Sequence, residues 1–174
     1  MNRFIKYFLI SSFIIFSSDL LAQEKIAILD LKYALNQSKA GKSAQDFLKK
    51  SYSQNIKKFK DIETSLKKEE ADLLSKKTVL SKEDYTKKSD TLRKKVIDYQ
   101  SQRRAAMDKI TTQRTESRAT LIKSITPILE TYIKENNISV VMNKAHTLGG
   151  NPENDITKII IDKLDKVLPS LDLK

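Results

Sequence analysis

The sequence predicts an α+β protein, predominantly helical, in which a small β body carries a long antiparallel helical-hairpin (coiled-coil) arm. Three observations point there. The chain of 174 residues has only 3 Gly and 3 Pro, and 32% of it is charged, the balance of a helical protein with little conventional core. Apolar residues recur every seven positions through the middle of the chain. Short apolar, β-prone runs occur near the two ends, at Lys25 to Leu29 (KIAIL) and at Ile138 to Met142 (ISVVM).

The first residues read as a targeting segment. Asn2 to Lys6 is basic, Tyr7 to Phe16 is apolar, and Ser17 to Ala22 is a small-residue exit. That order describes a Sec signal peptide over residues 1–22, cleaved after Ala22; the apolar run is too short to anchor the chain in a membrane. With no Cys, disulfides and thiolate metal sites are excluded.

KIAIL reads as a buried strand, and Asp30 to Ser38 (DLKYALNQS) as a short helix or turn. Gly41 is expected to break the chain before the long helix, with Ser43 as a helix-start residue. Tyr52, Phe59, Leu66, Leu73 and Leu80 then lie seven apart. Their companion stripe is broken: Leu48, Asn55, Ile62, Glu69, Lys76. One clean stripe and one patchy stripe suit a two-helix contact and not a thick core.

At Leu80 to Tyr85 the helix restarts. Ser81 is placed to cap, Asp84 stands at the capping-box position, and Leu80 and Tyr85 flank the cap as a hydrophobic staple does. Tyr85, Leu92, Tyr99 and Ala106 repeat by seven again, with Val96 and Ile110 beside them. Two seamed helices joined by a cap should fold back and bury each other's stripes. Residues 42–80 would make an arm of roughly 60 Å at about 1.5 Å per residue. The alternative is one continuous helix in an intermolecular coiled coil, since no Gly or Pro marks the turn.

Leu121, Ile125, Ile128, Leu129 and Tyr132 widen the stripe near the end of the return helix. Asn136-Asn137 stops it, and Ile138 to Met142 forms the second strand. GGNPEND is a loop, and Asp155 is expected to cap a last helix with Ile156, Ile159, Ile160, Leu164, Val167 and Leu168 on one face. The expected organisation is a body from residues 23–41 and 127–174, and an arm from 42–126 with its turn near 76–81.

Charge is uneven. Residues 42–123 hold 22 Lys+Arg against 12 Asp+Glu, so 22 − 12 gives +10 of the whole chain's +11. Basic runs stand at Lys57-Lys58, Lys67-Lys68, Lys76-Lys77, Lys87-Lys88, Arg93-Lys94-Lys95 and Arg103-Arg104. Pairs with interspersed acids explain the alternation of sign but not the excess, which points to an acidic or polyanionic partner.

Catalytic and cofactor readings find no support. NQSKAGKS (Asn36 to Ser43) follows a strand and precedes a helix, but a phosphate-binding loop needs Gly where Asn36 stands. His146 is the sole histidine, too little for a triad or a metal site. The expectation is no enzyme, no cofactor and no metal.

KIAILDLKYALNQSKAGKSAQDFL after a signal peptide, LSKEDYTKKSDTL in mid-chain, and NISVVMNK with NDITKIIIDKLD near the end together resemble the Skp/OmpH family of periplasmic chaperones. The resemblance covers essentially the whole mature chain. It implies a jellyfish-like homotrimer in the periplasm. A β body made by three chains, through strands that here hold Ile26, Ile28, Val140 and Val141, would carry three tentacles around a cavity. The cavity would hold unfolded outer-membrane β-barrel proteins without ATP. Client contact would fall on the basic arm surface: Lys67, Lys68, Lys76, Lys77, Lys87, Lys88, Arg93, Lys94, Lys95, Arg103 and Arg104. Lipopolysaccharide or an anionic membrane surface is a further partner class. The competing reading is a basic envelope coiled coil of structural role that binds polyanions, either lipopolysaccharide or nucleic acid; export argues against nucleic acid as the natural partner.

Overall fold

The computed structural model describes residues 24–173; the expected signal peptide and cleavage after Ala22 lie outside the described residues. Strand β1 (Lys25–Leu29) leads into helix α1 (Leu31–Gln37), then helix α2 (Lys39–Ser75). Helix α3 (Lys82–Glu135) runs back to strand β2 (Ile138–Asn143), and helix α4 (Thr157–Val167) follows two single 3₁₀ turns. The long helices pair with each other over their length as a hairpin.

The body is held by long-range pairing of the chain ends. β1 and β2 form a two-stranded parallel sheet, Ile26 opposite Val140 and Ile28 opposite Met142, with an irregularity after Lys25. Ala27, Leu29, Leu35, Leu121, Ile125, Ile138, Ile156, Ile160 and Leu164 make the core, with Ile160 and Leu164 fully buried. Both ends of the chain and the root of α3 are therefore needed to close one core.

The β1–α1 end is stitched to the start of α4. Asp30 caps α1 by accepting from the Tyr33 N–H at 2.8 Å. Its own N–H donates to Thr157 Oγ1 at 2.9 Å, and the Ile156 N–H donates to the Ile28 carbonyl at 2.9 Å. Asp155 lies one position before the N-cap, which is Ile156, and accepts from the Thr157 N–H at 2.9 Å. On α4, Ile159 and Val167 are 40% and 67% exposed, so the buried face is narrower than the apolar pattern.

The break between α1 and α2 is at Ser38, not at Gly41. Ser38 is wholly buried; its Oγ accepts from the Gly41 N–H at 3.1 Å and donates to the Leu35 carbonyl at 3.2 Å. Gly41 lies in the first turn of α2, where a Cβ would stand 1.8 Å from the Leu35 carbonyl oxygen. Glycine is required there for a close approach of helix to backbone, and Ser43 is an interior helix residue. A second cap comes from far away: the Asp165 carboxylate on α4 accepts from the Lys39 N–H at 2.7 Å, placing negative charge at the N-terminus of α2.

The arm's seam is thin, as one good stripe dictates. Phe59 is its buried anchor, packed edge-on against Tyr99 with ring centroids 6.0 Å apart. Ala44, Leu48 and Ile110 are buried nearer the body, beside buried Gln113 and Ser117. Tyr52 was expected in the stripe but is 51% exposed. A straight helix drifts about 20° per heptad against a seven-residue repeat, which moves the contact line from Leu48 to Phe59 and leaves Tyr52 outside it.

At the tip α2 ends at Ser75, and the Leu80 N–H donates to the Lys76 carbonyl at 3.0 Å. Ser81 caps α3: its Oγ accepts from the Asp84 N–H at 3.1 Å and donates to Asp84 Oδ2 at 2.7 Å. The Asp84 carboxylate thus holds the cap hydroxyl instead of the backbone N–H of a full capping box. α3 runs through Pro127 and ends at Asn136; Asn137, at φ 51°, takes the left-handed conformation that closes many helices.

Candidate functional site

Two surfaces stand out: the bare face of the sheet and the basic surface of the arm. In β1 and β2 side chains alternate between faces. Val141 turns inward and packs against the core. Ile26, Val140 and Met142 turn outward and are 43%, 50% and 41% exposed. Ile28 is nearly buried, beside Gly150. Of the four strand residues singled out from sequence, Ile26, Ile28 and Val140 lie on the outer face, Ile28 covered there beside Gly150, and Val141 lies on the closed one. Met142 is the member that was missed; it is two residues from Val140 in the same strand, so the alternation could have found it. β2 has β1 as its one strand partner among the described residues, so its other edge keeps unpaired backbone groups.

The eleven basic residues do not form one patch. Lys67 pairs with Glu63 at 2.7 Å, Lys76 with Asp72 at 2.7 Å, Lys87 with Glu83 at 2.7 Å and Arg93 with Asp90 at 3.1 Å, each within or just past one helical turn. Lys95 reaches across to Glu69 on α2 at 2.6 Å. Lys68, Lys77, Lys88, Lys94, Arg103 and Arg104 form no ion pair among the described residues. The hydrogen bond and charge of Lys67 hold the Glu63 carboxyl below its ordinary range, with Arg103 adding to the effect; Glu63 in turn raises Lys67. These groups are solvated, so the pairs tune charge more than stability.

Two shallow grooves flank the seam near the tip. One gathers Lys76, Lys87, Lys88 and Lys95 around Leu73 and Leu92, with Glu69 and Asp72. The other is more apolar, about 460 Å³, floored by Leu66, Leu73, Leu92, Val96 and Tyr99 and edged by Lys67 and Arg93. A third groove, at the root of the arm, holds Lys49, Arg114 and Arg118 over an apolar floor. Sequence reading passed over these three because it followed doublets; the spacing of Arg114 and Arg118 by four was the available signal.

No helix among the described residues is long and apolar enough to cross a membrane, and no cluster of three or more His, Cys, Asp or Glu could hold a metal there. His146 lies exposed in a 3₁₀ turn.

A family model described as outer membrane protein (OmpH-like) matches residues 25–164. The chain belongs to the OmpH-like (Skp/OmpH) family. It is 24% identical over 171 residues to a Skp-like protein of Pseudomonas aeruginosa PAO1, an alignment covering 96% of this chain and 99% of that one. The fold matches the crystal structure of a Caulobacter crescentus CB15 protein described as an outer membrane chaperone (OmpH-like). There the TM-score is 0.80 at 19% identity, over 87% of this chain and 89% of that one. An OmpH-like chain with a hairpin arm on a small two-stranded body matches the basic middle of the sequence and its C-terminal part of near-zero net charge.

Proposed function

We propose that this protein is an ATP-independent periplasmic holdase, a binding protein with no catalytic step, that keeps unfolded outer-membrane proteins from aggregating. The observation that carries the reading is the arm: an OmpH-like hairpin with a single-file seam and net +10 over residues 42–123. Such an arm has little core to protect and a long surface to offer. Charge speeds encounter with acidic unfolded chains, and the apolar floors of the grooves hold them afterwards.

Three copies are proposed to close the body. Parallel sheets occur almost only with both faces covered, and here one face presents Ile26, Val140 and Met142 to solvent beside an open strand edge. The number three follows the family resemblance. Three arms standing on one shared body would enclose a cavity.

The test is aggregation of an unfolded outer-membrane β-barrel protein, with and without the mature chain, with light scattering for the assembly's mass. Suppression at stoichiometric amounts and a mass about three times the chain's are expected. Unchanged aggregation at low and high salt would remove the holdase reading.

A second reading has one observation in its favour. Six of the eleven basic residues singled out on the arm form no ion pair among the described residues, which suits a polyanion such as lipopolysaccharide. Reversing Lys88, Lys94, Arg103 and Arg104 to Glu separates the two. A polyanion-binding spacer loses lipopolysaccharide and never protected clients; a holdase captures clients more slowly and still protects them.

A further inference from the structure

We propose that the groove at the root of the arm docks an extended polypeptide segment carrying an apolar residue and, two positions on, an acidic one. The inference deepens the holdase reading and rests on it. The groove, about 510 Å³, lies where α1, α2 and α3 meet. Its floor is apolar and fixed, because Leu35, Ala44, Leu48 and Leu121 are buried members of the packed interior. Its rim is cationic: Lys49 from α2, Arg114 and Arg118 from α3.

The charge state of the rim separates this groove from the apolar groove at the tip. There Lys67 and Arg93 are met by Glu63 and Asp90 of their own helices, and Glu63 and Glu70 line the groove itself. At the root, none of Lys49, Arg114 and Arg118 forms an ion pair among the described residues. Arg114 and Arg118 are one helical turn apart and share a face. A guanidinium donates in a planar fork that matches a carboxylate, and two of them beside an apolar floor favour an anion joined to an apolar group.

The shape selects a peptide over an acyl chain. The groove is open, so a long hydrocarbon laid in it would stay wet on one side. An extended peptide uses only alternate side chains on one face, about 6.8 Å apart at two residues' rise, and needs no enclosure. One apolar side chain fills the floor between Leu48 and Leu121, and the carboxylate two residues later reaches the arginines. Tyr52, half exposed at the rim, covers the peptide backbone.

The experiment uses the mature chain and two fluorescent peptides of alternating pattern, one with Leu-x-Glu units and one with Leu-x-Gln. Binding is read by anisotropy for wild type, for Arg114→Gln/Arg118→Gln, and for Tyr52→Ala; circular dichroism checks that each is folded. The expected result is at least a tenfold preference of wild type for the acidic peptide. That preference disappears in the double arginine variant, and Tyr52→Ala weakens both peptides alike. Equal binding of the two peptides by wild type, or an undiminished preference in the double variant, overturns the proposal. So does laurate that binds through Arg114 and Arg118 where the peptide does not, which would make the groove a lipid site. A change of assembly mass in the double variant overturns it too, as the rim would then be a subunit contact. The outcomes stay distinct from those of the broader reading. Wild type that suppresses client aggregation without preferring the acidic peptide loses the groove and keeps the holdase; wild type that does neither loses both.

Discussion

The Lys95 ammonium lies 2.6 Å from the Glu69 carboxylate, and among the ion pairs of the described residues this one joins α2 to α3. It sits on an arm whose seam is one side chain wide, with both groups about half exposed. The contact fixes the register of the two helices near the tip more than it stabilises them.

A double-mutant cycle on Glu69→Gln and Lys95→Met is expected to give a coupling below about 1 kcal/mol, falling toward zero in molar salt. Thermal melts at two ionic strengths measure it. A coupling that is large and indifferent to salt would mean the pair is shielded from water.

Phe59→Ala is expected to loosen the arm and spare the body. Large-to-small changes at aromatic core sites cost about 3–5 kcal/mol, and a site in a seam one side chain wide, which can close up after truncation, lies toward the low end. Hydrogen exchange should rise in the middle of the arm, around Phe59 and Tyr99, while β1 and β2 keep their protection. Uniform deprotection of arm and body would show that the two unfold as one unit.

Gly41→Ala is expected to cost about 1–3 kcal/mol, the range for forcing extra volume into a packed site, because the carbonyl it meets is backbone. Gly149→Ala, with nothing within 4 Å of the added carbon, should be close to neutral in the same urea titration. Equal midpoints for the two would refute the account of the α1–α2 junction.

Asp155 sets an acid limit on the body. Burial pushes its carboxyl up, but the hydrogen bond from Lys144, 2.6 Å away, and those from Thr157 outweigh it and hold the group below its ordinary value of 3.8. The folded state therefore binds fewer protons than the unfolded chain between the two values. The contribution is whole above the unfolded value, near pH 4, and is lost as pH falls through the depressed folded one. Urea midpoints between about pH 2 and pH 6 should fall more steeply for wild type than for Asp155→Asn. Parallel curves would assign the acid sensitivity elsewhere.

Local signals in the sequence were readable because their physics is local. Ser81 three residues before Asp84 marks a cap wherever it occurs, and Asn136-Asn137 supplies a residue that tolerates the left-handed turn. What escaped notice depends on residues far apart. The Ser38 break is visible only once Leu35 lies over Gly41. The cap on Lys39 comes from Asp165, 126 positions away. The exposure of Tyr52 follows from helical drift accumulated along the contact. The basic residues were legible as a total and not as a site, since doublets in sequence place neighbouring cations on different faces of a helix. Lone cations such as Arg114 and Arg118 meet over a floor that three helices supply.

Pro127 lies inside α3, in the stretch embedded in the body, with no N–H to donate back to the Lys123 carbonyl. From that point α3 extends 45 residues to its start at Lys82 (127 − 82), about 68 Å at 1.5 Å per residue. The helix is thus a lever that lacks one backbone hydrogen bond at its pivot. A tilt of about 5° there displaces the far end by roughly 6 Å, more than the rise of a full helical turn. In the trimer proposed above, a small change of angle at this one imino acid would alter the width between neighbouring arms without repacking along their length.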